Sequence, residues 1–470
     1  MIKRYLTCIL LAVAATLGAS AREARYIFYF IGDGMGMGHV NTAETYNRDV
    51  LKSDQPLLML TFPVAGQART YSFNSPITDS AAAGTALSTG FKTVNSRVAM
   101  TPDSVDLQSV AADLMKAGYA VGVGTTVAGD DATPAAFYAH ALGRYESGSI
   151  ARYAPASGLR FLSGGGFKIL SDSVAQQWLK EMEQSDFVTV RTFDRFRALP
   201  DADRKRRILM YPEISIHDQA SYTIDSIPGA MKLAEMTEAC LETLQTANPE
   251  RFFMMMEGGN IDWGAHANDG ATVIKEILNF QEAIGKAYEF YLSHPDETLI
   301  VITADHDTGG MALGREDNRK NPHLELIDNQ KISKDYLNEQ LRPVREGEKK
   351  PMTEEELTIF LKDNFGIGET ILLTPEEMES IRGAYRHAYI TRDGEETETW
   401  YQRFDPFVTT LYDILNRQYG IGWTTSSHTA NPVPIFAIGA GAELFGGALD
   451  NTEIPRRILQ AAGVKAQRFE

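Results

Sequence analysis

Between Phe252 and Asn268 the chain reads FFMMMEGGNIDWGAHAN, and three side chains there could hold a metal ion. Glu257 ends an apolar run of strand length, and two glycines after it let the backbone turn sharply. Asp262 and His266 stand four apart, so on a helical turn they project from one face. Two carboxylates and an imidazole at such close spacing suit a divalent cation. Taken alone, the stretch would serve equally well as a capped turn with an internally bonded histidine.

The same chemistry recurs at the ends of other apolar runs. Tyr26 to Ile31 (YIFYFI) leads to Asp33, and Tyr119 to Val127 leads to Asp131 and Thr133. Thr298 to Thr303 (TLIVIT) leads to Asp305 and His306, and His428 precedes the short run Pro434 to Ile438. Open α/β sheets place their sites outside the carboxyl ends of the strands, and chance would not favour that end each time. Mixed histidine and carboxylate ligands suit zinc, whereas all-oxygen sets suit magnesium. A set this large implies more than one ion. Two ions at close range can clamp the attacking and leaving oxygens of a displacement at phosphorus.

Elements must carry these residues. Leu107, Val110, Ala111, Leu114 and Met115 recur at helical spacing and stop at Gly118, a plausible helix end. Met231 to Leu244 reads as a helix, and Val273, Ile277, Phe280, Ile284, Tyr288 and Tyr291 define a longer amphipathic one. Strands alternating with helices predict an α/β fold with a largely parallel sheet. Residues 145–225 show no clear pattern beyond a loop at Gly164-Gly165-Gly166. Residues 311–420 are rich in charge and lack buried-strand signals, so a mostly helical surface insertion is expected there, its charge runs forming a solvated face.

Residues 1–21 read as a secretory signal: Lys3 and Arg4, then an apolar core too short to span a bilayer, then Ala19-Ser20-Ala21. Residues 22–470 then form the mature domain, exported to the periplasm, with no membrane anchor. Only Cys240 would remain, which excludes an intrachain disulfide. The net charge of −17 argues against nucleic acid as a partner. An anionic substrate would need a local positive centre, which metal ions would supply.

Six motifs together carry a resemblance. IGDGMG (31–36), TDSAAAGTA (78–86), DATPAAFYAH (131–140) with Arg144 shortly after, EGGNIDWGAH (257–266), TADHDTGG (303–310) and SSHTA (426–430) resemble the alkaline phosphatase family, in that family's order. The resemblance implies a three-layer core with a largely parallel central sheet flanked by helices. It implies two Zn2+ ions and one Mg2+ ion, phosphate monoesters as substrates, and a homodimer. Asp262, His266 and His428 would hold one zinc; Asp33, Asp305 and His306 would hold the other, beside Ser80. Asp33 would bridge to the magnesium, completed by Thr133, Glu257 and, directly or through water, Asp131. Ser80 would be the nucleophile, and Arg144 has the shape for a bidentate clamp on two phosphoryl oxygens.

Within the same superfamily, diesters or sulfate esters are alternative substrates, against which the full third-metal set and Arg144 argue. A non-catalytic phosphate- or metal-binding protein would need no Ser80. His140 is read as supporting or structural, on one face with Arg144 if the segment is helical. His39, His217, His294, His323 and His387 lack motif context. Trp263 departs from the family pattern, where a lysine or histidine commonly follows the zinc-ligand aspartate.

Overall fold

The computed structural model describes residues 23–215, 217–316, 321–399, 403–466 and 469. The stretch read as a signal lies outside them. The core is a ten-stranded sheet. Its strands are β1 (Tyr26–Ile31), β2 (Val64–Arg69), β3 (Ala120–Thr125), β4 (Phe161–Ser163), β5 (Phe187–Val190), β6 (Arg207–Met210), β7 (Phe252–Glu257), β8 (Thr298–Thr303), β9 (Val433–Gly439) and β10 (Gly447–Asp450). They lie side by side as β10-β2-β9-β8-β1-β7-β3-β4-β6-β5. Only β9 runs antiparallel to its neighbours, β2 and β8.

The four central strands β8, β1, β7 and β3 are buried along their whole length. This is why they read as continuous apolar runs: a parallel strand covered on both faces has no polar side to show. Their registers are level, Ile31 standing opposite both Glu257 and Thr303, and Glu257 opposite Thr125. Four chain segments therefore leave the sheet at one height, each carrying a polar residue of the expected set.

Helices flank this sheet. Those that matter for the site are α1 (Met37–Asp49), α2 (Ser80–Thr89), α3 (Leu233–Ala247), α4 (Asn260–His266) and α5 (Gly270–Ser293). Gly122 in β3 lets α3 close in, because a side chain there would collide with Cys240. Residues 145–225, which showed no pattern in sequence, contribute β4, β5 and β6. At three or four residues each, these strands are too short to display a period.

Residues 311–420 hold α6 (Lys334–Arg345), α7 (Glu354–Phe365), α8 (Pro375–Arg386) and α9 (Pro406–Tyr419). Their charge runs do not all face solvent. Lys334 and Asp335 are buried, the Lys334 ammonium donating to Ala267 O at 2.9 Å just beyond α4. Gln330 and the Lys334 backbone N–H both donate to Asp269, the residue capping α5. The helical region is thus fastened to the segment that follows His266.

Candidate active site

At the end of β1 the chain turns through Gly34, whose φ of +71° favours glycine. A Cβ there would sit 2.8 Å from both Asp262 Oδ1 and Thr308 Oγ1. The loop can therefore press Asp33 inward only because residue 34 has no side chain. The Gly34 N–H donates to Asp305 Oδ1 at 3.1 Å, linking the ends of β1 and β8.

Two groups of three side chains converge with all ligand atoms within 4.8 Å of one another: Asp33, Asp305 and His306, and Asp262, His306 and His428. His266 joins the second, its Nε2 lying 3.0 Å from His428 Nε2 and 3.4 Å from Asp262 Oδ2. His306 Nε2 is 3.4 Å from Asp33 Oδ1 and 3.1 Å from Asp305 Oδ2. The histidines are oriented from behind: His266 Nδ1 meets Ser426 O at 2.6 Å and His428 Nδ1 meets Thr78 O at 2.8 Å. A proton held on Nδ1 by a carbonyl leaves Nε2 as a free electron pair facing inward, the usual arrangement behind a metal-binding imidazole. Burial drives His428 down to about 3, with the neighbouring His306 adding to the shift, so its imidazole is neutral.

Glu257, at the end of β7, lies within electrostatic reach of Asp33, Asp131 and Asp305. Burial first, and then Asp305 and Asp131, push its carboxyl up to about 8. Burial also raises Asp33 well above the ordinary range, with Asp305, Asp262 and Glu257 adding to it. Burial opposes ionisation of Asp305 as well, yet the adjacent His306 holds it at about 2. Both Glu257 oxygens, Thr133 Oγ1 and Asp33 Oδ1 are buried without a hydrogen-bond partner. Buried oxygens are costly in that state, and cations would satisfy them. Unpaired oxygens beside two mixed histidine–carboxylate groups make a donor set that fits divalent cations.

Ser80 opens α2. Its Oγ lies 3.2 Å from His306 Nε2 and 3.4 Å from Arg144 NH1, and the residue is 1 % exposed. Asp79 caps the helix by accepting the Ala82 N–H at 3.0 Å, and its other oxygen accepts the Ser96 N–H at 2.9 Å. The positive end of the helix dipole thus points toward the Ser80 hydroxyl. Arg144 spans two carboxylates, NH1 at 3.5 Å from Asp79 Oδ2 and NH2 at 3.4 Å from Asp131 Oδ1. Asp131 is buried, but Lys168 and Arg144 outweigh that burial and hold it at about 2.

The segment from His140 to Arg144 is not helical, contrary to the condition placed on it. His140 Nδ1 instead meets Ala99 O at 2.8 Å, a structural contact, and the Arg144 N–H donates to Ser96 O at 2.8 Å. Trp263 lies in α4 and is 9 % exposed.

Several residues near the site had no role assigned from sequence. Thr308 donates to Asp262 Oδ1 and pairs in a short antiparallel ladder with His428. Asp307 accepts from Thr429 and Asn431, fastening the His428 loop, and its Oδ1 lies 3.5 Å from Nδ1 of the fully buried His39. Asp79 and Lys168 are further examples. Thr308, Asp307, Asp79 and Thr429 lie within the quoted motifs, but nothing in those motifs announced these contacts.

Comparison with known proteins agrees with this geometry. The alkaline phosphatase family model matches residues 24–182 and 217–464. Alkaline phosphatase 4 of Bacillus subtilis is 29 % identical over 447 residues, covering 92 % of this chain and 87 % of its own. The crystal structure of Thermus thermophilus alkaline phosphatase superposes with a TM-score of 0.78 at 25 % identity, covering 95 % of this chain and 93 % of that one. A cold-active alkaline phosphatase from Shewanella sp. gives 0.77 at 25 % identity, covering 93 % and 99 %. With family sequence, fold and converging ligand groups in agreement, the chain belongs to the alkaline phosphatase family.

Proposed function

We propose that this protein is an exported phosphomonoesterase that works through a phosphoserine intermediate on Ser80. The observation that carries the reading is the placement of the Ser80 hydroxyl, at the dipole end of α2, between Arg144 and the buried ligand groups. Asp262, His266 and His428 would hold one zinc, Asp33, Asp305 and His306 a second, and Asp33, Asp131, Thr133 and Glu257 a magnesium. Such ions, when bound, lower the pKa of a nearby hydroxyl and neutralise charge on phosphoryl oxygens.

The chain's own groups do the rest. Arg144 offers two N–H groups to two phosphoryl oxygens and is aimed by Asp79 and Asp131, so little reorganisation is needed on binding. Ser80, its hydroxyl proton given up to solvent, attacks phosphorus through Oγ in line with the ester oxygen. The Oγ–P bond forms as the ester P–O bond breaks, and the alkoxide leaves to take a proton from solvent. Water then attacks the phosphoserine from the vacated side, releasing phosphate and restoring Ser80. Charge in such a loose transition state sits on oxygens, so positioned cationic donors supply most of the stabilisation.

Supporting export are the leader-like residues 1–21; no helix among the described residues is long and apolar enough to cross a membrane. Family resemblance supports a homodimer. Residues 311–420 are assigned as an insertion into the single domain that spans 22–470.

The test is acid-quench trapping of labelled phosphate on the protein, with a monoester and a diester compared. Ser80→Ala should abolish the trapped adduct while metal content stays near that of the parent, leaving some residual rate. An adduct that persists in the alanine variant would refute the assignment of Ser80.

A further inference from the structure

Arg144 is the group expected to seize phosphate, yet two carboxylates already claim it. Asp131 Oδ1 is one of them, at 3.4 Å from NH2. That same oxygen has a second cation on its other side: Lys168 Nζ at 3.0 Å. Lys168 is not an ordinary surface lysine whose side chain happens to reach. Its backbone N–H donates to Asp130 Oδ1 at 2.8 Å, and that of Ile169 to Asp130 Oδ2 at 3.0 Å. Asp130 therefore pins the backbone while its neighbour Asp131 receives the ammonium. The glycines before it permit the approach, since a Cβ at Gly164 would lie 2.4 Å from Gly129 N. The Gly129 N–H donates to Gly166 O at 2.9 Å, tying the same loop to the segment that carries Asp131. The side chain of Lys168 keeps 28 % exposure, which leaves it at the edge of the site rather than sealed within it.

We propose that Lys168 is a positioning residue for phosphate capture: by pairing with Asp131 it keeps that carboxylate from drawing Arg144 away from the substrate. This rests on the functional reading above. Two cations that share one carboxylate oxygen each bind it less tightly than either would alone, so Arg144 keeps capacity for a second anion. Lys168 also adds positive potential at the mouth of a strongly acidic pocket. Trp263 carries no charge, so the residue following Asp262 adds nothing of that kind. Asp218 also faces Lys168 and moderates this field.

Removing the ammonium therefore has opposite consequences for two ligands. An arriving phosphate meets one positive charge fewer and an Arg144 more tightly held by Asp131. A divalent cation near Asp131 meets one repelling charge fewer. A purely structural lysine, anchoring its loop, would weaken both.

The experiment compares Lys168→Met and Lys168→Arg with the parent, all loaded with zinc and magnesium. Inorganic phosphate is the probe, its affinity read by calorimetry and by competitive inhibition of monoester turnover. Magnesium affinity is read separately from the rise in Tm on titration. We expect phosphate to bind roughly two- to fivefold more weakly to the methionine variant, the scale of a partly exposed ion pair. KM should rise with it while kcat changes less, the difference should shrink at high ionic strength, and the arginine variant should stay near the parent. Magnesium should bind the methionine variant more tightly. Unchanged phosphate affinity, or phosphate and magnesium both weakened, overturns the proposal for Lys168. A parent enzyme that neither cleaves a monoester nor binds phosphate overturns the functional reading itself.

Discussion

Arg144→Lys isolates geometry from charge. In the parent, the two terminal nitrogens of Arg144 reach different partners: NH1 lies 3.4 Å from Ser80 Oγ and 3.5 Å from Asp79 Oδ2, and NH2 lies 3.4 Å from Asp131 Oδ1. The residue is only 2 % exposed, so water cannot replace a lost contact cheaply. A lysine ammonium is a single point, shorter in reach, and cannot face both carboxylates while presenting two parallel donors to phosphate. At least one charged hydrogen bond to the phosphoryl group is lost, worth roughly 1–3 kcal/mol. That converts to a fall in kcat/KM of about 5- to 150-fold, since each 1.36 kcal/mol is a factor of ten. Phosphate inhibition should weaken in parallel, because product and transition state share the same oxygens. The assay is steady-state hydrolysis of a small monoester with inorganic phosphate as competitor, alongside a metal assay to confirm loading. Equal phosphate inhibition in the two proteins would remove Arg144 from the anion site and refute the clamp.

Two further outcomes follow from burial and charge. Chelation should lower Tm by roughly 5 °C or more and abolish activity, with zinc and magnesium restoring both, because ions that bind only the folded state stabilise it; an unchanged melting curve would mean the ligand groups contribute nothing to the fold. Asp335 is buried, accepts from Tyr222 OH at 2.7 Å, and is pushed by burial up to about 7. Below about pH 4 it is protonated in both states, while between there and pH 7 only the unfolded chain releases the proton, so its effect is to make stability fall as pH rises. Asp335→Asn keeps the acceptor but removes this loss. It should be more stable than the parent by roughly 1–3 kcal/mol above pH 7, with the advantage fading toward pH 4. An advantage equal at both ends, measured by denaturant titration, would show that ionisation is not its cause.

The convergence of the candidate ligand residues was legible because of how the sheet is built. β1, β7 and β8 have no exposed face, so each reads as an apolar run that stops where the polar residues begin, at Asp33, Glu257 and Asp305. The contacts that aim those ligands were not legible. Thr78 O and Ser426 O, which orient His428 and His266, are backbone atoms, and no side chain announces them. Asp79 could be read as part of a motif, but not as both the cap of α2 and a partner of Arg144, because the second role depends on a chain segment far away in sequence. Lys168 met the same difficulty: its partner Asp131 lies across a loop that showed only three glycines. β2 escaped notice because its residues alternate between half-buried and exposed, and Ala68 alone is fully buried.

The two outermost strands, β5 and β10, are only four residues long, against six in the centre. An outer strand leaves a row of N–H and C=O groups without a neighbour, and a long flat row invites another chain to add itself there. Four residues offer a poor template. Just past β5 the chain turns through Arg191, whose guanidinium donates to Tyr211 O at 3.2 Å and Pro212 O at 2.8 Å. A bulky charged group thus ends the row and consumes two nearby acceptors. With no disulfide among the described residues, a half-folded form of this protein would still present little that a second copy could zip onto, and aggregation through the sheet margins should be slow.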